Sequence, residues 1–470
     1  MRRNTPGQHR RRTSIRTAVS VGIAAAAGGG GGGGGPPPRP PPPPPGSVGI
    51  AAAAVAATAV AATAEGATPA PQAQRTQHVE YFNGADGHPR QTTVPASKPL
   101  APSEKAAIAA GDGDVTSIVQ NGTVGTKLDV VFVGDGYTAA QQEDFHADVR
   151  AKWAKISGVE PYATYRGLFN IWAVDAVSNE SGVSGDPTKD VVRDTALDSA
   201  FFCDNTERLL CVDTGKVESY ASKAPAADLV VVLSNSTKYG GAGYNDISSQ
   251  VGYDGIATAS SDNDQSDQIA VHETGHSLGK LADEYDYGQS GTYTGPEPAQ
   301  TNLTKLSADQ MTAQQQKWYR WIGQQSPDGG AVGAFEGGGY YQYGLNRPTD
   351  NSIMRTLGQE FNLPGREAMI AGFYRYASVL SSPVSTHHAV SRGTRIRVTA
   401  PASAQLKWYV DGRERKAARG STTVVPRTLG VPADGRPHTV TARATDRTKA
   451  VRDPALRKLL SRSLSWHTAP

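Results

Sequence analysis

His272-Glu273-Thr274-Gly275-His276 sets two imidazoles four residues apart around a carboxylate. In a helix, residues four apart share a face, so both rings can point at one metal ion. Glu273 then projects beside the metal, where it can act as general base on a bound water. A catalytic zinc needs three protein ligands and an open position. The chain has ten His, and none lies between His276 and His387, which points to a carboxylate as third ligand. Downstream runs Ser277-Leu278-Gly279-Lys280-Leu281-Ala282-Asp283-Glu284-Tyr285-Asp286. In an unbroken helix Asp283 would lie about 10 Å beyond His276 along the axis, too far to share its metal. Gly279 can adopt a left-handed conformation, end the helix and turn the chain back. Asp283 is then the leading third ligand, with Glu284 and Asp286 as fallbacks. A carboxylate here could instead orient a His. Asp262, Asp264 and Asp267 precede the helix but lack the glycine of a calcium loop, so a solvated acidic loop is favoured over a Ca2+ site.

The string resembles the metzincin pattern H-E-x-x-H-x-x-G-x-x-[H/D], with one departure. That spacing puts the third ligand at Ala282, which cannot bind metal, and Asp283 comes one residue later. Asn351-Ser352-Ile353-Met354-Arg355 resembles the Ser-Ile-Met turn that lies beneath the metal in that superfamily. More broadly, the chain looks like the secreted family of zinc metallopeptidases named for its immunoglobulin-A-cleaving member. The likeness rests on Val133-Gly134-Asp135-Gly136-Tyr137-Thr138, on Asn170-Ile171-Trp172-Ala173-Val174 with Ser181-Gly182-Val183, and on Asp194-Thr195-Ala196-Leu197. It rests also on Asn235-Ser236-Thr237-Lys238-Tyr239-Gly240-Gly241 and on the stretch from His272 to Tyr285. The resemblance implies a zinc endopeptidase acting on protein or peptide. It does not carry over immunoglobulin A as the substrate.

On this reading, zinc held by His272, His276 and Asp283 lowers the pKa of its water toward about 7. Glu273 takes the proton and passes it to the leaving amine. A hydrogen-bond donor helps stabilise the oxyanion, with Tyr285, Tyr340, Tyr341 and Tyr343 as candidates. One rival is a non-catalytic secreted binding protein on a metallopeptidase scaffold; the intact Glu273 argues against it. Another is a thermolysin-type peptidase with a distant Glu as third ligand; Gly279 and Met354 argue against that.

The elements that must position these groups alternate strand and helix. Residues 128–133 and 168–174 read as buried strands, 139–156 as a helix between them, and 228–233 as a third strand before the motif helix. This is an α/β pattern. Asp267 or Ser266 is placed to cap the motif helix. The Gly-rich segment 239–244 reads as a loop, or as a strand edge that pairs with extended substrate. The last residues change character. Segments 395–398, 406–410 and 439–444 alternate with period two, as in an Ig-like β-sandwich. That region holds no catalytic group, and Trp408 reads as core. Contact with glycan or cell surface through this module belongs to the binding-protein rival.

The chain of 470 residues carries a net charge of +3, and six Arg among its first residues account for much of the excess. Nothing basic and aromatic-interleaved suggests nucleic acid. The Arg-rich start followed by small apolar residues reads as a signal peptide. It is interrupted by a Gly run at 28–35 and a Pro tract at 36–45, and Ser-Val-Gly-Ile-Ala-Ala-Ala-Ala occurs on both sides, at 20–27 and 47–54. A Pro run cannot be a membrane helix, and no later segment is apolar enough to span. The only cysteines, Cys203 and Cys211, are expected to pair in an exported protein. The expected organisation is a signal region at 1–64, a linker with a short β element at 65–118, a metzincin-like peptidase domain at 119–382 and a β-sandwich at 383–470.

Overall fold

In chain order the first half contains β1 (Thr76–Phe82), β2 (Pro89–Pro95), α1 (Pro102–Ala110), β3 (Val115–Gln120), β4 (Leu128–Asp135), α2 (Gln142–Ile156) and α3 (Tyr162–Tyr165). It continues with β5 (Phe169–Val174), α4 (Thr214–Ala221), β6 (Leu229–Ser234), β7 (Gly241–Tyr244), β8 (Ile256–Ser260) and α5 (Ser266–Ser277). The computed structural model describes residues 75–84, 89–245, 247, 249–288 and 291–470. The expected signal region at 1–64 and the start of the linker lie outside them.

Strands β1 to β8 form one sheet in the order β2-β1-β7-β8-β6-β4-β5-β3. Its centre is parallel, β4 pairing with β5 and β6, and β6 with β8. The Leu/Val run of β6 is buried on both faces, as central parallel strands are. β3 closes one edge antiparallel to β5 and crosses the boundary expected at 118–119. At the other edge β7 runs antiparallel to β8, and the hairpin of β1 and β2 adds onto β7. The α/β expectation agrees with this mixed architecture. β8 escaped it because Ile256-Ala257-Thr258-Ala259-Ser260 is rich in small residues, although every one is buried.

α5 is buried nearly all round, against β7 and β8 on one side and α2 on the other. Its N-cap is Gln265, without a side-chain cap bond. The expected caps are used elsewhere: Ser266 Oγ donates to Gly240 O at 2.9 Å, and Asp267 forms a buried ion pair with Lys152 of α2. Tyr162 Oη donates to Thr274 Oγ1 at 2.5 Å, fixing the middle of α5. Cys203 and Cys211 are joined in a disulfide, as expected.

The second half adds α6 (Ala308–Gln314), the hairpin β9 (Phe335–Gly338) and β10 (Tyr341–Arg347), and α7 (Leu363–Tyr376). The C-terminal strands are β11 (Ile396–Arg397), β12 (Ala404–Val410), β13 (Arg413–Glu414), β14 (Thr423–Val424), β15 (Thr439–Asp446) and β16 (Ser461–His467). They make a four-stranded sheet, β13-β12-β15-β16, and a pair, β11-β14. β12 and β15 alternate buried and partly open positions, the physical basis of their period-two pattern. Trp408 is buried and stacks on Trp466 with centroids 6.0 Å apart, so it is core and offers no binding platform. Among the described residues no helix is long and apolar enough to cross a membrane.

These strands are not an isolated module. A single hydrophobic cluster runs from Leu128 through Met369 to Trp466. Buried Asp446 Oδ2 accepts hydrogen bonds from Tyr165 Oη at 3.0 Å and Tyr374 Oη at 2.8 Å. Asp446→Ala would leave two phenols without their acceptor, at a cost of about 2 kcal/mol. Chemical denaturation should show one transition moved to lower denaturant. Two separated transitions, with only the later strands weakened, would contradict a shared core.

Candidate metal centre

His272 and His276 lie one turn apart on α5, and each ring is fixed from behind. His272 Nδ1 is 2.8 Å from Ile353 O, and His276 Nδ1 is 2.8 Å from Leu281 O. A carbonyl only accepts, so both Nδ1 atoms carry the hydrogen. In the neutral rings both Nε2 atoms then present lone pairs, and they face each other at 3.1 Å. Lone pairs aimed at one point in a buried site call for a positive charge between them.

The chain leaves α5 through Lys280, whose φ is 52°. Lys280 N–H donates to His276 O at 3.2 Å and Leu281 N–H to Gly275 O at 3.1 Å. The left-handed residue of the turn is thus Lys280 and not Gly279, contrary to the sequence expectation. Gly279 serves close packing instead, since a Cβ there would stand 2.8 Å from Gly275 O and Met369 Sδ.

The turn brings Asp283 back as expected. Its Oδ1 is 3.2 Å from His272 Nε2 and 3.3 Å from His276 Nε2. Its Oδ2 accepts from Tyr340 Oη at 2.6 Å. The fallback ligands are engaged elsewhere. Glu284 accepts from Asn302 at 2.9 Å, Ser352 Oγ at 2.7 Å and Asn362 at 3.0 Å, and its N–H donates to Met354 O at 2.7 Å. Asp286 bridges to Tyr340 through the backbone and faces Arg355 at 3.9 Å. Glu284 therefore staples the post-helix segment to the Ser352-Ile353-Met354 turn. Buried Met354 lies against α5, where a Cβ on Gly275 would come within 2.5 Å of its Sδ. This contact explains the glycine inside the motif.

Glu273 is buried beside the His pair. Its Oε2 accepts from Asn245 Nδ2 at 2.9 Å, and Oε1 has no hydrogen-bond partner. Gly243 of β7 makes room for this carboxylate, since a Cβ there would be 1.8 Å from Oε2. The sequence reading did not single out Asn245, and it took Gly243 only as part of the Gly-rich segment 239–244, of which Gly241–Tyr244 form strand β7.

A fourth group also went unforeseen. Glu80 of β1 places Oε1 3.3 Å from His272 Nε2 and Oε2 3.3 Å from His276 Nε2. Tyr285 Oη donates to its Oε1 at 3.0 Å. A distant Glu does reach the cluster, then, but from upstream and in addition to Asp283. The only sequence signal was a lone carboxylate inside the strand His78-Val79-Glu80-Tyr81-Phe82. Among the described residues Glu80, His272, His276 and Asp283 are the one such group, with ligand atoms within 4.8 Å of one another. The acidic trio before α5 does not converge: Asp267 pairs with Lys152, Asp264 faces Lys155 at 3.3 Å and Asp262 accepts from Ser261 at 2.9 Å. Of the four tyrosines considered, Tyr285 and Tyr340 touch the cluster, while Tyr341 packs on Tyr293 and Tyr343 is exposed.

The residues fit a divalent cation. Glu80 Oε2 and Asp283 Oδ1 are buried without hydrogen-bond partners, a costly state for carboxylates unless a cation faces them. Protons otherwise take its place. Burial lowers the His272 pKa, but the charge of Glu80 and the hydrogen bonds the protonated ring gives to Asp283 and Glu80 outweigh it and raise the ring to about 10. Burial likewise opposes ionisation of Asp283, yet His276 and His272 hold it well below the usual carboxylate range. Burial first, and Glu80 second, push Glu273 up to about 8. The cluster opens into a cleft of about 970 Å³ lined by His78, Asn245, His276, Asp283, Tyr293 and Tyr340.

A buried His and carboxylate cluster of this kind, opening into a cleft, could hold a metal ion. The chain belongs to the IgA Peptidase M64 family, whose profile matches residues 116–328 and 325–373. The match takes in Asn245, His272, Glu273, His276, Asp283 and Met354 and begins after Glu80. No curated protein matches the chain.

Asp283→Ala should weaken divalent metal binding by more than about tenfold, and Glu284→Ala by about 10–100-fold although it touches no metal. Equilibrium dialysis with elemental analysis reads both. Unchanged affinity in Asp283→Ala would remove that residue from the ligand set.

Proposed function

We propose that the chain is a secreted zinc-dependent endopeptidase, with His272, His276 and Asp283 as metal ligands and Glu273 as general base. The observation that carries this reading is the spacing of the ligand atoms. Nitrogen and oxygen ligands about 2.0–2.1 Å from a tetrahedral zinc stand about 3.3 Å from each other. The Nε2 and Oδ1 atoms of these three residues are separated by 3.1, 3.2 and 3.3 Å. Zinc in this place would act as a Lewis acid toward the scissile carbonyl and acidify water.

The chain's own groups divide the remaining work. Asn245 holds Oε2 of Glu273, so Oε1 is left to take the proton of the attacking water and return it to the leaving amine. Tyr340 donates to Oδ2 of Asp283 and so keeps its Oδ1 aimed at the two rings. Tyr285, which donates to a carboxylate oxygen in the cleft, is placed to donate to the oxyanion as charge develops. The edge of β7 provides backbone groups for an extended peptide. The chain's own β1, an internal segment, lies along that edge, which favours cleavage within chains over trimming of ends.

Secretion is supported by the Arg-rich, apolar start of the sequence and by the Cys203–Cys211 disulfide. The non-catalytic binding reading has less support, because Glu273 keeps a dedicated partner in Asn245 and Trp408 is not exposed.

Zinc-loaded chain should hydrolyse casein, and Glu273→Ala should keep its zinc while losing about 10²–10⁴-fold in rate. Equal cleavage by the two proteins, or failure of the wild type to bind zinc, would contradict the assignment.

A further inference from the structure

We propose that the hairpin of β1 and β2 is a built-in occupant of the substrate cleft, with Glu80 closing the position that the centre must keep open for catalysis. The inference rests on the peptidase reading above and concerns the same site. Four observations lead to it.

The first is the location of Glu80 in the cluster. A catalytic zinc site keeps three protein ligands and leaves the fourth position for water or substrate. His272, His276 and Asp283 are three, and the Glu80 carboxylate stands 3.3 Å from both Nε2 atoms, as a fourth corner. The second is the backbone. β1 runs antiparallel along β7, with Glu80 opposite Gly243, the residue that accommodates the Glu273 carboxylate. An extended substrate pairing with β7 would need that same edge, because its other side is taken by β8. The third is the set of contacts that seat the hairpin. Tyr285 donates to Glu80, Gln91 N–H of β2 donates to Tyr287 Oη at 3.1 Å, and the Gln91 side chain bonds Tyr340 Oη. Phe82 packs edge-on against the His272 ring with centroids 5.0 Å apart. These are polar and aromatic groups of the cleft that a bound peptide would otherwise meet.

The fourth is the attachment. The hairpin precedes the family match, which begins at residue 116. It is joined to it by residues 96–115, of which only Gly113 is buried, and no residue of α1 is. Every other residue of the cluster lies inside the match. The hairpin is thus tethered to the matched region by an exposed strap and stands at the outer edge of the sheet.

The experiment compares zinc-loaded full chain with its Glu80→Ala and Glu80→Gln variants. Acetohydroxamate serves as a small probe that needs an open metal position, and its binding is measured by calorimetry beside zinc content and casein hydrolysis. Both variants should keep their zinc, bind acetohydroxamate at least about tenfold more tightly than wild type and cleave casein correspondingly faster, since a competing internal ligand lowers apparent affinity by the fraction of open centres. Glu80→Gln retains an acceptor for Tyr285, so it carries the comparison if Glu80→Ala does not fold. Loss of zinc from a folded variant would make Glu80 a permanent ligand and overturn the proposal. Equal probe affinity in wild type and variants would overturn it as well. Tighter probe binding without any casein hydrolysis would uphold the occupant and count against the peptidase reading.

Discussion

The fold is organised around one electrostatic constraint, the approach of two imidazole lone pairs to 3.1 Å inside a buried site. Neither ring can escape it. The carbonyl of Ile353 holds one Nδ1–H and the carbonyl of Leu281 the other, so in the neutral rings both Nε2 atoms are bare toward the same point. Only a positive charge relieves that arrangement, and the carboxylates of Asp283 and Glu80 complete its surroundings.

Much of the surrounding structure reads as support for those two carbonyls. Ile353 is presented by a turn that Glu284 clamps through Ser352 and Asn362. Leu281 is presented by a left-handed Lys280 and by Gly279, which lets the chain pass close to Gly275 and Met369. Met354 fills the space that Gly275 leaves beneath the helix. α5 itself is clamped by the Lys152–Asp267 ion pair and by Tyr162. The parallel sheet thus acts as a rigid bed, and the later strands brace it through Asp446 and a continuous apolar cluster.

What was legible in the sequence follows from the range over which each signal acts. The His pair and its neighbouring carboxylate are spaced by helix geometry, a local rule, and Asp283 follows from a short turn. The Leu/Val runs of β4 and β6 announce buried strands. Glu80, Asn245 and Gly243 reach the site through strand pairing across long separations, and nothing local records which strand lies beside β7. Gly279 was identified as necessary for a conformational reason, whereas its neighbours require it for a steric one. β8 was silent because small residues bury as readily as large ones when a helix lies close above them. The caps expected at Ser266 and Asp267 gave way to Gly240 and Lys152, since tertiary partners outbid a helix end for a buried hydroxyl and carboxylate.

The most direct test of the account is X-ray absorption at the zinc edge on the purified chain. About one zinc per chain is expected, with two imidazole nitrogens and carboxylate oxygens at about 2.0–2.1 Å. A centre with one imidazole or none, or a chain that takes up no zinc, would contradict it.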